Sequence, residues 1–509
     1  MHKMKKNIYI CTTVDKTNKN YKHKQVMKKI ITALLLAAFI VPAAFAYVPP
    51  KRKHPEVAYE KFKMHHTMLP QVGKLDVSNP DNANRTRWSI GCETLDRDYA
   101  TFANYKHLLG PLGVGWARLQ SGWAKCEKQK GVYDFTWLDE HVNGVIEQGM
   151  KPWLSLSYGN PLYSKDGVTL NSSIWTDEET MKAWDSYVRA IVRHYGDKVM
   201  MYEVWNEPDG KKANTPEVVA NLLIHTGEII RKENPKAEIL AFGLCKNEMC
   251  DYIAKVLEIL KKKKKLNVLD RVSYHVYFEN PDNATERIKA LRATVKSFDE
   301  RLDIFQGESG CPAILEFGHA LKYKEWSEFK QVKWDLRRMA NDFANNVPSS
   351  IFTFVDLQYP NMIQSFGMVR MNLLHEPMYK RPAYYGVQHL ASLLHDGIQP
   401  AKVEVKAYCN RKVASVGLAD KKGEVIGAML WYSDLTPTDQ LDKDNVSLEL
   451  LGFDVDNLVY VEPITGYVHD LRPVITRGGK EGGNIICSGL PMWDSPIFII
   501  KKSALKLKK

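Results

Sequence analysis

Two glutamates of this chain lie in sequence runs that are well suited to catalysis. Glu207 lies in the run WNEP at 205–208, and Glu308 lies in the run QGES at 306–309. Both follow short apolar runs of the kind that form buried strands. Two carboxyl groups can divide the cleavage of a glycosidic bond, because one attacks the anomeric carbon while the other protonates the leaving oxygen. The pair therefore predicts glycosidase chemistry with Glu207 and Glu308 as the catalytic residues.

The two roles require different protonation states, so the pKa values of the two glutamates must be pushed apart. Arg118 lies inside an apolar run, where a charge is costly unless it is paired. Arg118 and a hydrogen bond from Tyr277 could keep one carboxylate ionised. Glu203, four residues before Glu207, is a second possible partner of Arg118.

The two glutamates must be brought together by the strands that carry them. Between residues 87 and 356, short apolar runs alternate with amphipathic stretches, which predicts an α/β fold of the (β/α)8 TIM barrel type. The predicted strands are Trp88–Cys92, Trp116–Gln120, Pro152–Ser157, Met200–Trp205, Glu238–Phe242, Val272–Val276, Asp303–Gln306 and Ile351–Val355. A doubly wound sheet is the alternative, but no glycine-rich phosphate loop follows the first strand. Glu207 then ends the fourth strand and Glu308 the seventh, at the face where barrel active sites lie.

Helical patterns separate the predicted strands. They cover Tyr99–Leu109, Leu138–Gln148, Glu179–Tyr195, Thr215–Glu233, Met249–Lys263, Thr285–Phe298 and Glu325–Asn345. Thr215 and Pro216 are typical of a helix start, and Gly196 of a helix end. These signals support a barrel with its helices on the outside.

The pattern changes after residue 397, where short strands follow one another without helices. They are Val403–Tyr408, Val413–Leu418, Val425–Trp431, Val446–Leu450, Leu458–Val461, Ile485–Cys487 and Pro496–Ile500. This pattern predicts a C-terminal all-β sandwich. The expected organisation is an upstream extension and signal peptide at 1–46, a leader segment at 47–86, the barrel at 87–397 and the sandwich at 398–509.

Several of these runs resemble those of glycoside hydrolase clan A, the retaining TIM-barrel glycosidases. YEVWNEPD at 202–209 is similar to the clan's acid/base motif, QGESG at 306–310 to its nucleophile region, and YHVY at 274–277 to its sixth strand. WARLQ at 116–120, Trp123, KGVYDF at 130–135 and KRPAYY at 380–385 are also similar to segments of these enzymes. The resemblance covers about residues 87–395. It is closest in style to glycoside hydrolase family 39 and its unclassified relatives, although SGCP at 309–312 differs from the nucleophile motif of that family.

The resemblance implies a role for each matching residue. Glu207 would be the acid/base and Glu308 the nucleophile, with Asn206 bound to the sugar 2-hydroxyl. Arg118 and Tyr277 would position Glu308. His275 would line the bottom of the same site.

Aromatic rings near strand ends can stack on the apolar faces of sugars, although most aromatic residues of a barrel belong to its core. We expect Trp123 and Tyr158 to contact substrate. No CxxC or His/Cys ligand spacing indicates a metal site, so we expect no cofactor. Cys245 and Cys250 are close enough in sequence for one disulfide bond, but inert thiols are the simpler expectation.

The N-terminal 46 residues suggest where the protein acts. Lys28 and Lys29 precede the apolar stretch 30–46, which ends in Ala44-Phe45-Ala46, as in a secretory signal peptide cleaved after Ala46. We therefore expect a secreted or periplasmic protein without a membrane span after cleavage; an uncleaved anchor is the alternative. The same 46 residues contain nine lysines and one acidic residue, a large part of the net charge of +12.

The expected partner is a carbohydrate. The remaining lysine runs lack aromatic interleaving or a recognition motif, so we do not expect nucleic-acid binding. Two other functions are compatible with the same residues: a carbohydrate-binding protein on a decayed barrel, and a transglycosylase that uses the same two glutamates. The sequence leaves open the sugar, exo or endo action and the oligomeric state, because loops after the strands set specificity.

Overall fold

The structure of the chain is a computed structural model, which describes residues 68–167, 169–451, 453, 456–478 and 484–508. The predicted signal peptide and most of the leader segment lie outside these residues. Within the described residues, no helix is both long enough and apolar enough to span a membrane.

A short strand, β1 (Gln71–Lys74), precedes a closed barrel of eight parallel strands. The barrel strands are β2 (Trp88–Gly91), β3 (Trp116–Gln120), β4 (Lys151–Leu156), β5 (Met201–Val204), β6 (Glu238–Leu244), β7 (Arg271–His275), β8 (Asp303–Ser309) and β9 (Ser349–Ile351). The prediction of a TIM barrel is confirmed, and the strand order places Glu207 after β5 and Glu308 in β8.

Helices lie between the barrel strands and after the last of them. They are α1 (Phe102–Tyr105), α2 (Leu109–Leu112), α3 (Trp123–Cys126), α4 (Thr136–Glu147), α5 (Glu178–Tyr195), α6 (Pro216–Glu233), α7 (Met249–Lys262), α8 (Ala284–Lys296), α9 (Glu328–Ala344) and α10 (Pro382–Leu393). The 3-10 helices of the described residues are Asn82–Asn84, Leu95–Arg97, Lys106–Leu108, Gly196–Lys198, Pro208–Gly210, Leu266–Val268, Pro281–Asn283 and Lys502–Ala504. The predicted cap of α6 is present, since the Thr215 side chain accepts a hydrogen bond from the Val218 amide.

The stretch predicted as one helix over Tyr99–Leu109 is helical from Phe102 to Leu112, where α1, the 3-10 helix Lys106–Leu108 and α2 follow one another directly. The helix therefore begins three residues later than predicted and tightens to a 3-10 turn in its middle.

Two small hairpins follow β9 and were not predicted from the sequence. They pair β10 (Leu357–Tyr359) with β11 (Met362–Gln364), and β12 (Val369–Met371) with β13 (Pro377–Lys380). The first hairpin contributes Tyr359 and Gln364 to the mouth of the barrel.

The C-terminal region is all-β, as predicted, and consists of a seven-stranded and a four-stranded antiparallel sheet. Its strands are β14 (Gln399–Ala401), β15 (Glu404–Tyr408), β16 (Val413–Ala419), β17 (Val425–Tyr432), β18 (Asp444–Leu451), β19 (Leu458–Glu462), β20 (Tyr467–Asp470), β21 (Ile475–Gly478), β22 (Asn484–Met492) and β23 (Ile497–Lys501). The seven-stranded sheet has the order β1-β20-β19-β23-β17-β16-β14. Strand β1 therefore joins part of the predicted leader segment to the C-terminal sheet.

Buried polar side chains of α9 join the barrel to the C-terminal region. Lys333 is fully buried, with Nζ 2.5 Å from Asp494 Oδ1 and 2.7 Å from the Gln440 carbonyl oxygen. Arg337 is also fully buried and contacts Asp282 and the Leu435 carbonyl oxygen. Because these charges are paired and hydrogen-bonded, burying them is tolerated.

Candidate active site

A cleft of about 510 Å³ lies at the carboxyl ends of the barrel strands and contains both glutamates. It is lined by Glu93, Thr94, Gln120, Tyr158, Leu170, Asn171, Asn206, Glu207, Cys245, Lys246, His275, Tyr277, Glu308, His319, Ala320, Phe352, Tyr359, Gln364 and Phe366. Clefts of this size and position accommodate small-molecule or glycan ligands.

Arg118, in the middle of β3, is fully buried beneath the cleft. Its Nη1 lies 2.8 Å from Glu308 Oε2, and its Nη2 lies 2.5 Å from Glu203 Oε2. Nη2 also donates to Asn206 Oδ1 at 2.7 Å. Arg118 thus fixes Glu308 and Asn206 from below the cleft, with no exposed surface of its own.

Glu308 is held as a carboxylate by the groups around it. Besides Arg118, Tyr277 Oη donates a hydrogen bond to Glu308 Oε1 at 2.7 Å. Burial acts to raise the pKa of Glu308, but the charges of His275 and Arg118 and the hydrogen bonds from Tyr277 and Arg118 hold it below its ordinary value. An ionised carboxylate aimed into a cleft is the state that a nucleophile requires.

Glu207 lies on a sharp turn directly after β5. Trp205 and Glu207 both have left-handed backbone conformations, with φ of 69° and 54°, which are costly for residues other than glycine. The Glu207 amide donates to the Phe242 carbonyl oxygen at 3.0 Å, which anchors the turn to β6. This geometry turns Glu207 into the cleft, where its side chain is 28% exposed.

His275 joins the two glutamates. Its Nδ1 lies 2.9 Å from Glu207 Oε1 and 3.7 Å from Glu308 Oε2. Burial acts to lower the pKa of His275, but the carboxylates of Glu308 and Glu207 raise it above its ordinary value. The ring fits closely over glycine backbone, since a Cβ added at Gly243 would lie 2.7 Å from His275 Nε2.

The carboxyl groups of Glu207 and Glu308 are close together. One oxygen of each, together with a ring nitrogen of His275, lies within 4.8 Å of the others. The same three atoms form the one cluster of three or more metal-ligating side chains found among the described residues. A contact of this kind between single oxygens is compatible with the carboxyl separation of about 5–5.5 Å at which one carboxylate can attack while the other protonates.

Asn206 and Tyr158 complete the predicted group. Asn206 Nδ2 donates to Tyr158 Oη at 2.8 Å while its Oδ1 accepts from Arg118, so the orientation of its amide is fixed. Both side chains line the cleft. The structure thus brings Arg118, Asn206, Tyr158, His275 and Tyr277 together around the two glutamates.

Trp123 lies elsewhere, and the expectation that it contacts substrate is corrected. Its ring is fully buried in the core, stacked on Tyr163 with centroids 5.3 Å apart and edge-on to Trp184. Its Nε1 is bound to Glu127 Oε2 at 2.5 Å. A sugar in the cleft cannot reach this ring, because other aromatic side chains cover it.

Several cleft residues were not predicted from the sequence. Glu93 directly follows the predicted first strand, Trp88–Cys92. An acidic residue at the end of a barrel strand is a signal from which its place in the cleft could have been predicted. Tyr359 and Gln364 belong to the unpredicted hairpin, and His319 to a long loop after β8, for which no periodic pattern exists. Cys245 also lines the cleft; the seven cysteines of the described residues are all free thiols, and no bond joins Cys245 to Cys250.

Part of the barrel is similar to a known family. Residues 116–306 match the family model of glycosyl hydrolases family 39. A search of curated protein sequences gives no match.

Solved structures share the fold. A family 39 glycoside hydrolase from Bacteroides cellulosilyticus WH2 aligns with a TM-score of 0.60 at 16% identity, covering 84% of this chain and 82% of that one. A GH39 enzyme from Xanthomonas axonopodis pv. citri aligns at 0.54 and 15% identity, over 86% and 98% of the two chains. The catalytic domain of the GH30 xylanase C from Talaromyces cellulolyticus aligns at 0.55 and 10% identity, over 85% and 98%. The resemblance to glycosyl hydrolases family 39 is confirmed over residues 116–306, and the solved structures share the barrel fold of this chain.

Proposed function

We propose that the chain is a secreted, retaining β-glycosidase that hydrolyses a polysaccharide or oligosaccharide by double displacement. The signal-peptide pattern at 28–46 supports secretion. The arrangement of Glu207 and Glu308 supports the retaining mechanism. The chain's own side chains supply both the nucleophile and the acid.

In the first step, an oxygen of Glu308 forms a bond to the anomeric carbon as the bond from that carbon to the leaving oxygen breaks. Glu207 gives its proton to the leaving oxygen. In the second step, Glu207 removes a proton from water, the water oxygen attacks the anomeric carbon, and the bond to Glu308 breaks. Glu207 thus loses a proton in the first step and regains one in the second, and in both steps it is in contact with His275.

The observation that carries this proposal is the short separation of the two carboxyl groups. Oxygens of Glu207 and Glu308 lie within 4.8 Å of one another. A separation this small supports direct attack by Glu308, because an inverting enzyme needs space for water between the carboxyl groups. Asn206, fixed by Arg118 and Tyr158, is placed to bind a sugar hydroxyl beside them.

The proposal is tested with Glu308→Ala on an aryl β-glycoside. We expect kcat to fall by about 10⁴-fold or more, as for loss of a nucleophile. Added azide should restore part of the rate, because the small anion fits the space left by the carboxylate, attacks the anomeric carbon and yields a glycosyl azide. Glu300→Ala, at an exposed position, is the matched control. It should keep the kcat of the wild type, and azide should not raise its rate.

Wild-type turnover in Glu308→Ala without azide would rule out this nucleophile. Calorimetric binding of oligosaccharides by the wild type, without cleavage over days, would favour a carbohydrate-binding protein instead. Products that are lengthened when acceptor sugar is in excess would identify a transglycosylase, which uses the same two glutamates.

A further inference from the structure

Glu93 is a third carboxyl group in the cleft that the proposed mechanism does not use. It lies two residues after the end of β2, lines the cleft and is only 2% exposed. Its carboxyl group lies over Gly91, where an added Cβ would be 2.2 Å from Glu93 Oε2. A buried carboxyl group beside a carboxylate must either be paired with a cation or keep its proton.

The hydrogen bonds of Thr353 locate that proton. Thr353 Oγ1 lies 2.9 Å from the Gly91 carbonyl oxygen and 3.3 Å from Glu93 Oε2. A carbonyl oxygen can only accept, so the single hydroxyl proton of Thr353 is directed to Gly91. Thr353 therefore presents a lone pair to Glu93 Oε2, which fits a protonated Oε2 that donates and does not fit a carboxylate.

The other oxygen of Glu93 fits the same state. Arg118 Nη1 donates to Glu93 Oε1 at 3.3 Å, a longer contact than the 2.8 Å from the same nitrogen to Glu308. The carbonyl oxygen of a neutral acid accepts such a bond. Glu203 makes the closest contact with Arg118, at 2.5 Å, so the guanidinium already faces two carboxylates without Glu93.

The surroundings of Glu93 oppose its ionisation. The pKa of Glu93 is raised to about 7, because burial, together with the neighbouring charge of Glu308, outweighs the opposing effect of Arg118. The titratable and charged groups that face Glu93 from the packed elements are Cys92, Tyr105, Arg118, Tyr277, Glu308 and Tyr359. Among these groups Arg118 is the one cation.

We propose that Glu93 is a positioning residue that must be protonated for catalysis: as a neutral acid it leaves the charge of Arg118 to Glu308, and its ionisation disables the site. An ionised Glu93 would compete with Glu308 for Arg118 Nη1 and would be repelled by the Thr353 lone pair. Glu308 would then be less firmly held and harder to keep as a carboxylate. The inference rests on the proposed function, because it assigns Glu308 as nucleophile.

Glu93→Gln tests the proposal, because glutamine copies the neutral acid with a carbonyl oxygen for Arg118 and an N–H donor for Thr353. In the wild type, the ionisation of Glu93 should contribute to the alkaline fall of kcat/KM. In Glu93→Gln we expect the alkaline fall to lose this contribution, while kcat/KM near its maximum stays within about threefold of wild type. An unchanged alkaline limb, or a loss of activity as deep as in Glu308→Ala, would overturn the proposal.

Thr353→Val gives a second test in the opposite direction. Valine keeps the shape of threonine but removes the lone pair to which Glu93 donates. Without that acceptor the neutral acid is less stabilised, so the alkaline fall in kcat/KM should move to lower pH, by up to about one unit. A shift to higher pH, or none, would contradict the assigned hydrogen bond.

An infrared measurement separates this inference from the proposed function, because it needs no substrate. Difference spectra of the wild type against Glu93→Gln at pH 6 should show the C=O stretching band of a protonated carboxyl group, lost in the variant. Asp335→Asn is the matched control: Asp335 is a buried acid outside the cleft whose pKa is raised well above its ordinary value by burial, so its loss should remove a band but leave the pH profile of kcat/KM unchanged. Absence of the Glu93 band would overturn the inference even if the chain is an active glycosidase; its presence in a chain without activity would leave Glu93 neutral and refute only its role in catalysis.

Discussion

At the scale of single residues, the ionisation of Glu308 determines the acid side of activity. Its pKa is held below the ordinary value against the effect of burial, chiefly by His275 and Arg118. A depressed pKa means that the carboxylate persists as pH falls and is lost only below the ordinary range near 4.3. We therefore expect the acid limb of kcat/KM to lie below pH 4.3 in a pH–rate profile. An acid limb at or above pH 5 would contradict the assignment.

The contribution of Glu207 to the rate should increase with the need of the leaving group for protonation. We expect Glu207→Gln to lower kcat/KM by about 10²-fold or more for alkyl β-glycosides, which need protonation. Substrates with an acidic phenol as leaving group should be affected much less at the glycosylation step. The measurement is a Brønsted plot of log kcat/KM against the pKa of the leaving group for variant and wild type. Equal slopes would show that Glu207 is not the acid.

At the scale of elements, the floor of the site depends on close contact between His275 and the backbone of β6. Gly243 has φ of +64°, and a Cβ there would lie 2.7 Å from His275 Nε2. Gly243→Ala should displace His275 from Glu207 and reduce kcat by about tenfold or more. Gly423→Ala is the matched control, since Gly423 has φ of +83° but open space around it and lies in a turn of the C-terminal region. Comparable losses of kcat in both variants would mean that backbone strain, not displacement of His275, is responsible.

The strands and their order could be predicted from the sequence because the parallel barrel buries both faces of each strand and produces distinct apolar runs. That order was enough to place Glu207 and Glu308 at the same end of the barrel. The contacts of Arg118 could be predicted in part, since a charge in an apolar strand requires partners.

The loops could not be predicted in the same way. Trp123 begins the short helix α3 after Gly122, and only packing against Tyr163 and Trp184 decides that its ring is buried rather than facing the cleft. Tyr359 reaches the cleft through a hairpin of three-residue strands, too short to give a periodic signal. The neutral state of Glu93 depends on a hydroxyl of Thr353, which is 260 residues away in the chain.

At the scale of the whole molecule, buried ion pairs couple the barrel to the C-terminal sheets. Lys333→Ala should lower the free energy of unfolding by about 3 kcal/mol, because it leaves Asp494 buried without its cation. Denaturant unfolding of wild type and variant measures the difference. Lys182→Ala, which breaks the exposed pair with Glu178, is the control and should change stability by less than about 0.5 kcal/mol.

The described part of the predicted leader segment also belongs to this larger unit. Strand β1 lies at the edge of the seven-stranded sheet, paired with β20. The first described strand, β1, therefore belongs to a C-terminal sheet, although the barrel lies between β1 and the other strands of that sheet in the sequence. No local pattern in residues 47–86 indicates such pairing, because the partner strand lies about 400 residues further along the chain.

We propose that Glu207 and Glu308 together hydrolyse a β-glycoside with retention of configuration at the anomeric carbon. The most direct test is to follow the anomer of the first product by proton NMR, before mutarotation, after adding wild-type enzyme to a cleavable aryl β-glycoside. We expect the β-anomer to appear first and the α-anomer only as mutarotation proceeds. Initial release of the α-anomer would contradict double displacement and the role of Glu308 as nucleophile.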